Sequence, residues 1–284
     1  MQRQSNKTWF NYTPISGVGS EIKDDGSRVL CSIPVEREEE LLPLEIALIG
    51  DETRLDLIRV GTPNSDGDLS EQEVHQIGNI MDHVISVIRL LYDSNLDRLY
   101  LAGRPISLGQ FSRDDGSPQL SVNAKEFANP VKFDGAQLKN AIIATAPMRV
   151  ALSLLVEALH PRTPLVFKYL CFYKILELEF RKNGHWVGLD KHLQHYEGAF
   201  RDLNISKSKL RNFLHNYRDK CAHIKIGSRD EIGRTGMGSR EGAIVSKFLP
   251  LFHTIVADLL NQKYPDRIKL AGPGKLERSD ASAS

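Results

Sequence analysis

Between Pro164 and Arg181 the chain reads Leu-Val-Phe-Lys-Tyr-Leu-Cys-Phe-Tyr-Lys-Ile-Leu-Glu-Leu-Glu-Phe, apolar on nearly every side of a helix. A helix that is apolar all round must be enclosed by other elements. This segment therefore predicts the buried centre of a helical bundle. Thr163 and Pro164 predict its start, as an N-cap followed by proline at the first helical position. Lys174 and Glu177 are among its few polar residues, and they are expected to pair with each other rather than to reach a neighbouring helix.

Enclosing helices can be read on both sides of that centre. Met148 to Leu159 is apolar almost all round and stops before Pro161. Leu189, Leu193, Tyr196, Phe200 and Leu203 form the stripe of one helix, which leaves His192 at its edge and His195 exposed. Starting near Ser206 or Ser208, a further helix carries Leu210, Phe213, Leu214, Tyr217, Cys221 and Ile224 at helical spacing. Ala243 to Tyr264 is the last helix, with Pro250 expected to kink or restart it. Residues 136–264 thus predict an all-α domain, and residues 265–284 a disordered tail.

Residues 1–130 carry a different pattern, that of an α+β domain whose role the sequence leaves open. Arg28 to Val35, Leu42 to Ile49 and Arg54 to Val60 alternate in the manner of strands, with Gly26, Gly50 and Gly61 as turn signals. Leu96 to Leu101 and Leu108 to Phe111 add two more. Ser70 and Glu73 form a capping box. The helix it opens bears Val74, Ile77, Met81, Val84, Ile88 and Leu91 on one stripe, and is expected to lie across the sheet.

Net charge is +1 over 284 residues, so no global field draws the chain to nucleic acid or membrane. Any RNA contact has to come from a local patch. The N-terminus lacks an apolar signal region and no uninterrupted apolar run reaches membrane-spanning length, so a cytoplasmic protein without membrane contact is expected. The three cysteines, Cys31, Cys171 and Cys221, are widely spaced in apolar surroundings. They are expected to be reduced thiols rather than disulfides or zinc ligands. His192 and His195 stand at metal-sharing spacing, but no third ligand accompanies them, and neither a metal nor a cofactor is expected.

The polar side of the helix over 210–224 is unusual. It carries Arg211, Asn212, His215, Arg218, Asp219 and His223 where Glu and Lys would suffice for solubility. Within it, Arg218-Asp219-Lys220-Cys221-Ala222-His223 places a histidine five residues after an arginine that is followed by aspartate. This resembles the Arg-to-His signature of HEPN-superfamily ribonucleases. The long apolar-aromatic helix upstream, the glycine-rich connection from Gly227 to Gly242 and the last helix resemble the Apea-like branch of HEPN domains. More loosely, the whole chain looks like methylamine utilisation MauJ-like proteins.

The resemblance implies a metal-independent endoribonuclease, of the kind that acts as a toxin or defence effector, cutting single-stranded RNA. His223 would move the proton of a ribose 2′-hydroxyl as that oxygen attacks the adjacent phosphorus, leaving 2′,3′-cyclic phosphate and 5′-hydroxyl ends. Arg218 would hold the non-bridging oxygens through its planar fork. Asp219 would orient the imidazole of His223 or raise its pKa. Arg211 and His215 extend a phosphate-binding strip, and Arg229, Arg234 and Arg240 stand on the glycine-rich connection as further RNA contacts. On an ideal helix Arg218 and His223 point about 140° apart, so the resemblance implies a homodimer in which two such helices line one cleft. Two other readings accompany it: a non-catalytic HEPN module that binds RNA, a nucleotide or a protein partner, and an accessory protein of methylamine utilisation.

Overall fold

The computed structural model describes residues 8–14, 21–23, 29–34, 45–63, 70–92, 100–101, 104–105, 110–112, 119–121, 132–206, 209–222, 240–265 and 270. The chain divides into two units, Met1–Pro147 and Met148–Ser284. The first combines a sheet with helices, and the described residues of the second are helical apart from one short hairpin, so an α+β part is followed by a helical part.

In the first unit, β3 (Val29–Pro34), β4 (Glu45–Gly50), β5 (Leu55–Pro63), β1 (Thr8–Pro14) and β8 (Gln110–Ser112) form an antiparallel sheet in that spatial order. The sequence predicts β3, β4, β5 and β8 with ends shifted by a few residues, and misses β1. Short pairs join β2 (Glu21–Lys23) to β9 (Gln119–Ser121), and β6 (Tyr100–Leu101) to β7 (Arg104–Pro105). The β4–β5 turn is closed by Asp51, whose Oδ1 accepts from the backbone N–H groups of Thr53 at 2.9 Å and Arg54 at 3.0 Å. This is an Asx turn, in which a side chain stands in for a backbone carbonyl.

Helix α1 (Glu71–Tyr92) starts at the expected capping box: Glu73 Oε2 accepts from the Ser70 backbone N–H at 2.6 Å, and Ser70 Oγ from that of Glu73 at 3.3 Å. Ile77, Met81, Val84 and Ile88 are buried as their spacing predicts, whereas Val74 in the first turn is 56% exposed. Helix α2 (Gly135–Thr145) is capped by Asp134, whose side chain accepts from the N–H groups of Ala136 and Gln137. It docks on β3 and α1. Gly135 lies so near β3 that a Cβ there would stand 2.4 Å from the Leu30 carbonyl oxygen. His83 on α1 faces the Ile142 carbonyl across 3.1 Å and the Thr145 hydroxyl across 3.3 Å.

A 3-10 turn (Ala146–Met148) runs into α3 (Arg149–Leu159), and α4 (Leu165–Phe180) follows. As its composition predicts, α4 is central to the second unit: α3, α7 (Leu210–Ala222) and α8 (Arg240–Lys263) all pack on it. Its start differs from expectation. Pro164 is the cap residue and Leu165 the first helical one, while the buried Thr163 donates its hydroxyl to Glu157 Oε1 on α3 at 2.7 Å.

Tyr169, Phe172, Phe200, Phe248 and Phe252 form an aromatic core, with the Tyr169 and Phe252 rings 4.9 Å apart and edge-on. Such pairs add about 0.5–1.5 kcal/mol to their area burial. α8 runs through Pro250 as one helix, and its Lys263 pairs with Glu179 on α4.

Between α4 and α7 the chain makes a hairpin of β10 (Arg181–Lys182) and β11 (His185–Trp186), turned by Asn183 and Gly184 at φ 49° and 82°. Both turn residues at positive φ mark the type in which Asn-Gly excels. Two short helices follow, α5 (Leu189–Gln194) and α6 (Glu197–Asp202), where the sequence predicts one. The break turns His192 inward. It is buried, and its Nε2 lies 3.1 Å from the Ile255 carbonyl oxygen.

Gly135–Leu159 and Gly242–Lys263 are long and apolar enough, by length and composition, to cross a membrane, with 44% and 50% of their windows buried in the folded chain. Polar residues interrupt both, which is why no unbroken apolar run stands out in the sequence.

Candidate functional site

Helix α7 fixes the site through its apolar side. Leu210 and Leu214 are buried against the bundle, and Phe213, Tyr217 and Cys221 are half-buried. The Tyr217 ring packs on Phe213 with centroids 4.7 Å apart. That anchoring turns Arg211, His215 and Arg218 outward on one strip, since residues at i, i+4 and i+7 share a helix face.

Three side chains of α7 join here with one from α4. Arg218 Nη1 donates to Asp219 Oδ1 at 2.9 Å. The other oxygen of Asp219 lies 3.6 Å from His215 Nε2, an ion-pair separation rather than a hydrogen bond. His215 Nδ1 is 3.1 Å from the hydroxyl of Tyr173, a buried residue of α4. Asp219 can only accept, so we assign the proton to Nε2 in the neutral ring, leaving Nδ1 to accept from the Tyr173 O–H. The chain Tyr173–His215–Asp219–Arg218 therefore starts in the core and ends in solvent, where His215 is 57% exposed.

Charge surrounds the inner end of this chain. Burial pushes the Tyr173 phenol above its ordinary value; Glu177 and Asp219 add to that, and Arg218 and Arg181 work against it. Tyr173 is thus a neutral hydrogen-bonding group at neutral pH. Glu177 pairs with Lys174 at 3.1 Å, as the sequence predicts, and also with Arg181 at 3.0 Å. The hairpin supplies a second contact, with the Trp186 ring edge-on to Tyr173 at 5.9 Å.

Asp219 and Arg218 thus stand together, with His215 joined to them. Arg211 sits at the other end of the strip and pairs with Asp190 at 3.2 Å. With both partners well exposed, such a pair contributes about 0–1 kcal/mol. His223, Arg229 and Arg234 lie outside the described residues, as does most of the glycine-rich connection. Arg240 is the first residue of α8, and its side chain is also outside them.

Burial disfavours the thiolate form of all three cysteines. All three cysteines are free, and burial pushes Cys171 and Cys221 up to about 11. A thiol with that value is protonated at neutral pH. The His192–His195 pair offers no metal site through Nε2 of His192, which faces the Ile255 carbonyl in the interior. Among the described residues, no three His, Cys, Asp or Glu side chains converge as a ligand set.

Tyr173 is the residue that sequence reasoning missed. It reads as one more aromatic in an apolar helix. The available signal was its spacing of four from Tyr169, which puts two hydroxyl-bearing rings on one side of α4.

No protein-family model, curated protein or solved structure matches the chain.

Proposed function

We propose that the helical unit is a HEPN-type module that cleaves single-stranded RNA without a metal, with Arg218 and His223 as its reacting groups. The observation that carries the reading is the Arg218–Asp219–His215 group on the outward face of α7, backed by the buried Tyr173. An arginine fixed by a neighbouring carboxylate keeps other guanidinium donors for phosphate oxygens. An exposed histidine, whose two ring nitrogens can each donate or accept, stands beside it.

In this chemistry the ribose 2′ oxygen attacks phosphorus, His223 moves a proton and Arg218 stabilises the added negative charge. The products are 2′,3′-cyclic phosphate and 5′-hydroxyl ends.

The test is cleavage of single-stranded RNA in the presence of EDTA, with the ends analysed. His223→Ala should lower the rate by about 10²–10⁴-fold. Arg218→Ala should cost about 10²–10³-fold, and Arg218→Lys should recover only part, since Lys lacks the bidentate fork. Equal cleavage by folded wild type and His223→Ala sinks the assignment. A non-catalytic binding module predicts RNA binding without turnover even in the wild type, and the same assay separates the two.

A further inference from the structure

Cleavage by 2′-hydroxyl attack requires two proton transfers. One removes the proton of the attacking 2′ oxygen, and the other delivers a proton to the departing 5′ oxygen. In an in-line displacement these oxygens stand on opposite sides of the phosphorus, so one imidazole cannot serve both. The ribonuclease reading names His223 for one transfer and leaves the other without a group.

The geometry points to His215 as the general acid, giving its Nε2 proton to the 5′ oxygen as that oxygen leaves. This inference rests on the ribonuclease reading. In the imidazolium both ring nitrogens donate. Nδ1–H is held by the Tyr173 oxygen at 3.1 Å, and Nε2–H faces Asp219 Oδ2 at 3.6 Å on the open side. The longer separation leaves Nε2–H loosely held and available to a better acceptor. Nδ1 is the anchored end, because Tyr173 is buried and is gripped in turn by Trp186.

Other histidines near the bundle core are spent: His192 faces the Ile255 carbonyl, and His253 is stacked on Phe172 with centroids 5.8 Å apart. His215 stands one helical turn before Arg218, so a phosphate held by that guanidinium lies within reach of it.

The step balances without a co-reactant. A bond forms between the 2′ oxygen and phosphorus while the bond to the 5′ oxygen breaks, and its electron pair stays on the 5′ oxygen. The 2′ proton goes to the base and the Nε2 proton to the 5′ oxygen. The imidazole, now neutral with its hydrogen on Nδ1, is reprotonated from water. Tyr173 is a positioning residue that keeps the ring turned so that Nε2 faces outward.

A general acid matters only when the leaving oxygen is a poor leaving group. The experiment therefore compares two substrates, an oligouridylate and uridine 3′-(4-nitrophenyl phosphate), whose nitrophenolate departs without protonation. For His215→Gln, kcat/KM on the oligouridylate should fall by about 10²-fold or more, and on the nitrophenyl ester by about threefold or less. Arg218→Ala should lose on both, since charge develops at the phosphoryl oxygens in each. Tyr173→Phe should show the same substrate-selective loss as His215→Gln, but smaller.

The ratio of the two activities comes from one preparation and is independent of the fraction folded. An equal loss on both substrates, or no loss on either, overturns the assignment of His215 while leaving the ribonuclease reading in place. A wild type inert on both substrates overturns the two together.

Discussion

The Tyr169 hydroxyl donates to the Leu214 carbonyl at 2.9 Å, joining the buried face of α4 to α7 one residue before His215. This bond sets the height of α7 on the bundle, and Tyr173 repeats the contact one turn along α4. Tyr169→Phe keeps the ring and removes only the bond. It should lower stability by about 1 kcal/mol, the net worth of a hydrogen bond whose carbonyl partner stays in a helix. Urea denaturation gives the number, and an unchanged midpoint would show that the bond contributes nothing.

Gly78 and Gly135 should respond in opposite directions to the same substitution. A Cβ at Gly78, in the interior of α1, meets nothing within 4 Å, so Gly78→Ala should stabilise by about 0.5–1 kcal/mol. A Cβ at Gly135 would press on the Leu30 carbonyl at 2.4 Å. Gly135→Ala should destabilise by about 1–3 kcal/mol through forced backbone movement between α2 and β3. Thermal melts of the two variants check the pair, and equal shifts would contradict the close approach.

Two buried histidines make stability depend on pH. Burial lowers His192 and His253 below the ordinary 6.5; His195 acts in the same direction on His192, while Ile255 and Asp258 partly oppose it. Their unfolded forms bind more protons below 6.5, so stability is fully present above that value and falls with acidification toward the folded values. The slope reaches at most about 1.4 kcal/mol per pH unit for each histidine. Urea midpoints between about pH 7.5 and about pH 5 should fall accordingly. His192→Gln, which keeps a donor for Ile255, should show a shallower fall; an unaltered slope would exclude His192 as a source.

The proposed ribonuclease chemistry predicts a homodimer through the helical unit, since on an ideal helix Arg218 and His223 would point about 140° apart. Sedimentation velocity at micromolar concentration should give a mass near twice 31.9 kDa. A strict monomer that still cleaves RNA would refute a cleft shared between two copies.

The sequence made the bundle legible because its signals are local. The all-round apolarity of α4, the Ser70–Glu73 box and the α7 stripe each need only neighbouring residues. What was missed depends on partners that lie outside the helix being read. Thr163 reads as a cap until Glu157 is beside it, and His192 reads as an edge residue until the break between α5 and α6 turns it toward Ile255. At the site, Arg218 and Asp219 are legible as neighbours. His215 becomes more than a phosphate contact only when Tyr173, 42 residues earlier, approaches it. The hairpin at Asn183–Gly184 was legible and passed over, because its strands have only two residues each.

The central place of α4 has a consequence for the order in which the protein is made. Tyr169 leaves the ribosome 45 residues ahead of the carbonyl it will bind, and His192 leaves 63 residues ahead of its own. At about 5–20 residues per second, the most apolar helix of the chain waits several seconds with α3 as its main cover. During that interval Tyr169, Phe172 and Tyr173 lack the cover that α7 and α8 give α4 in the folded chain. The apolar faces of α4 are therefore uncovered for that interval in a nascent chain, and slow codons placed between α4 and α8 would lengthen their exposure.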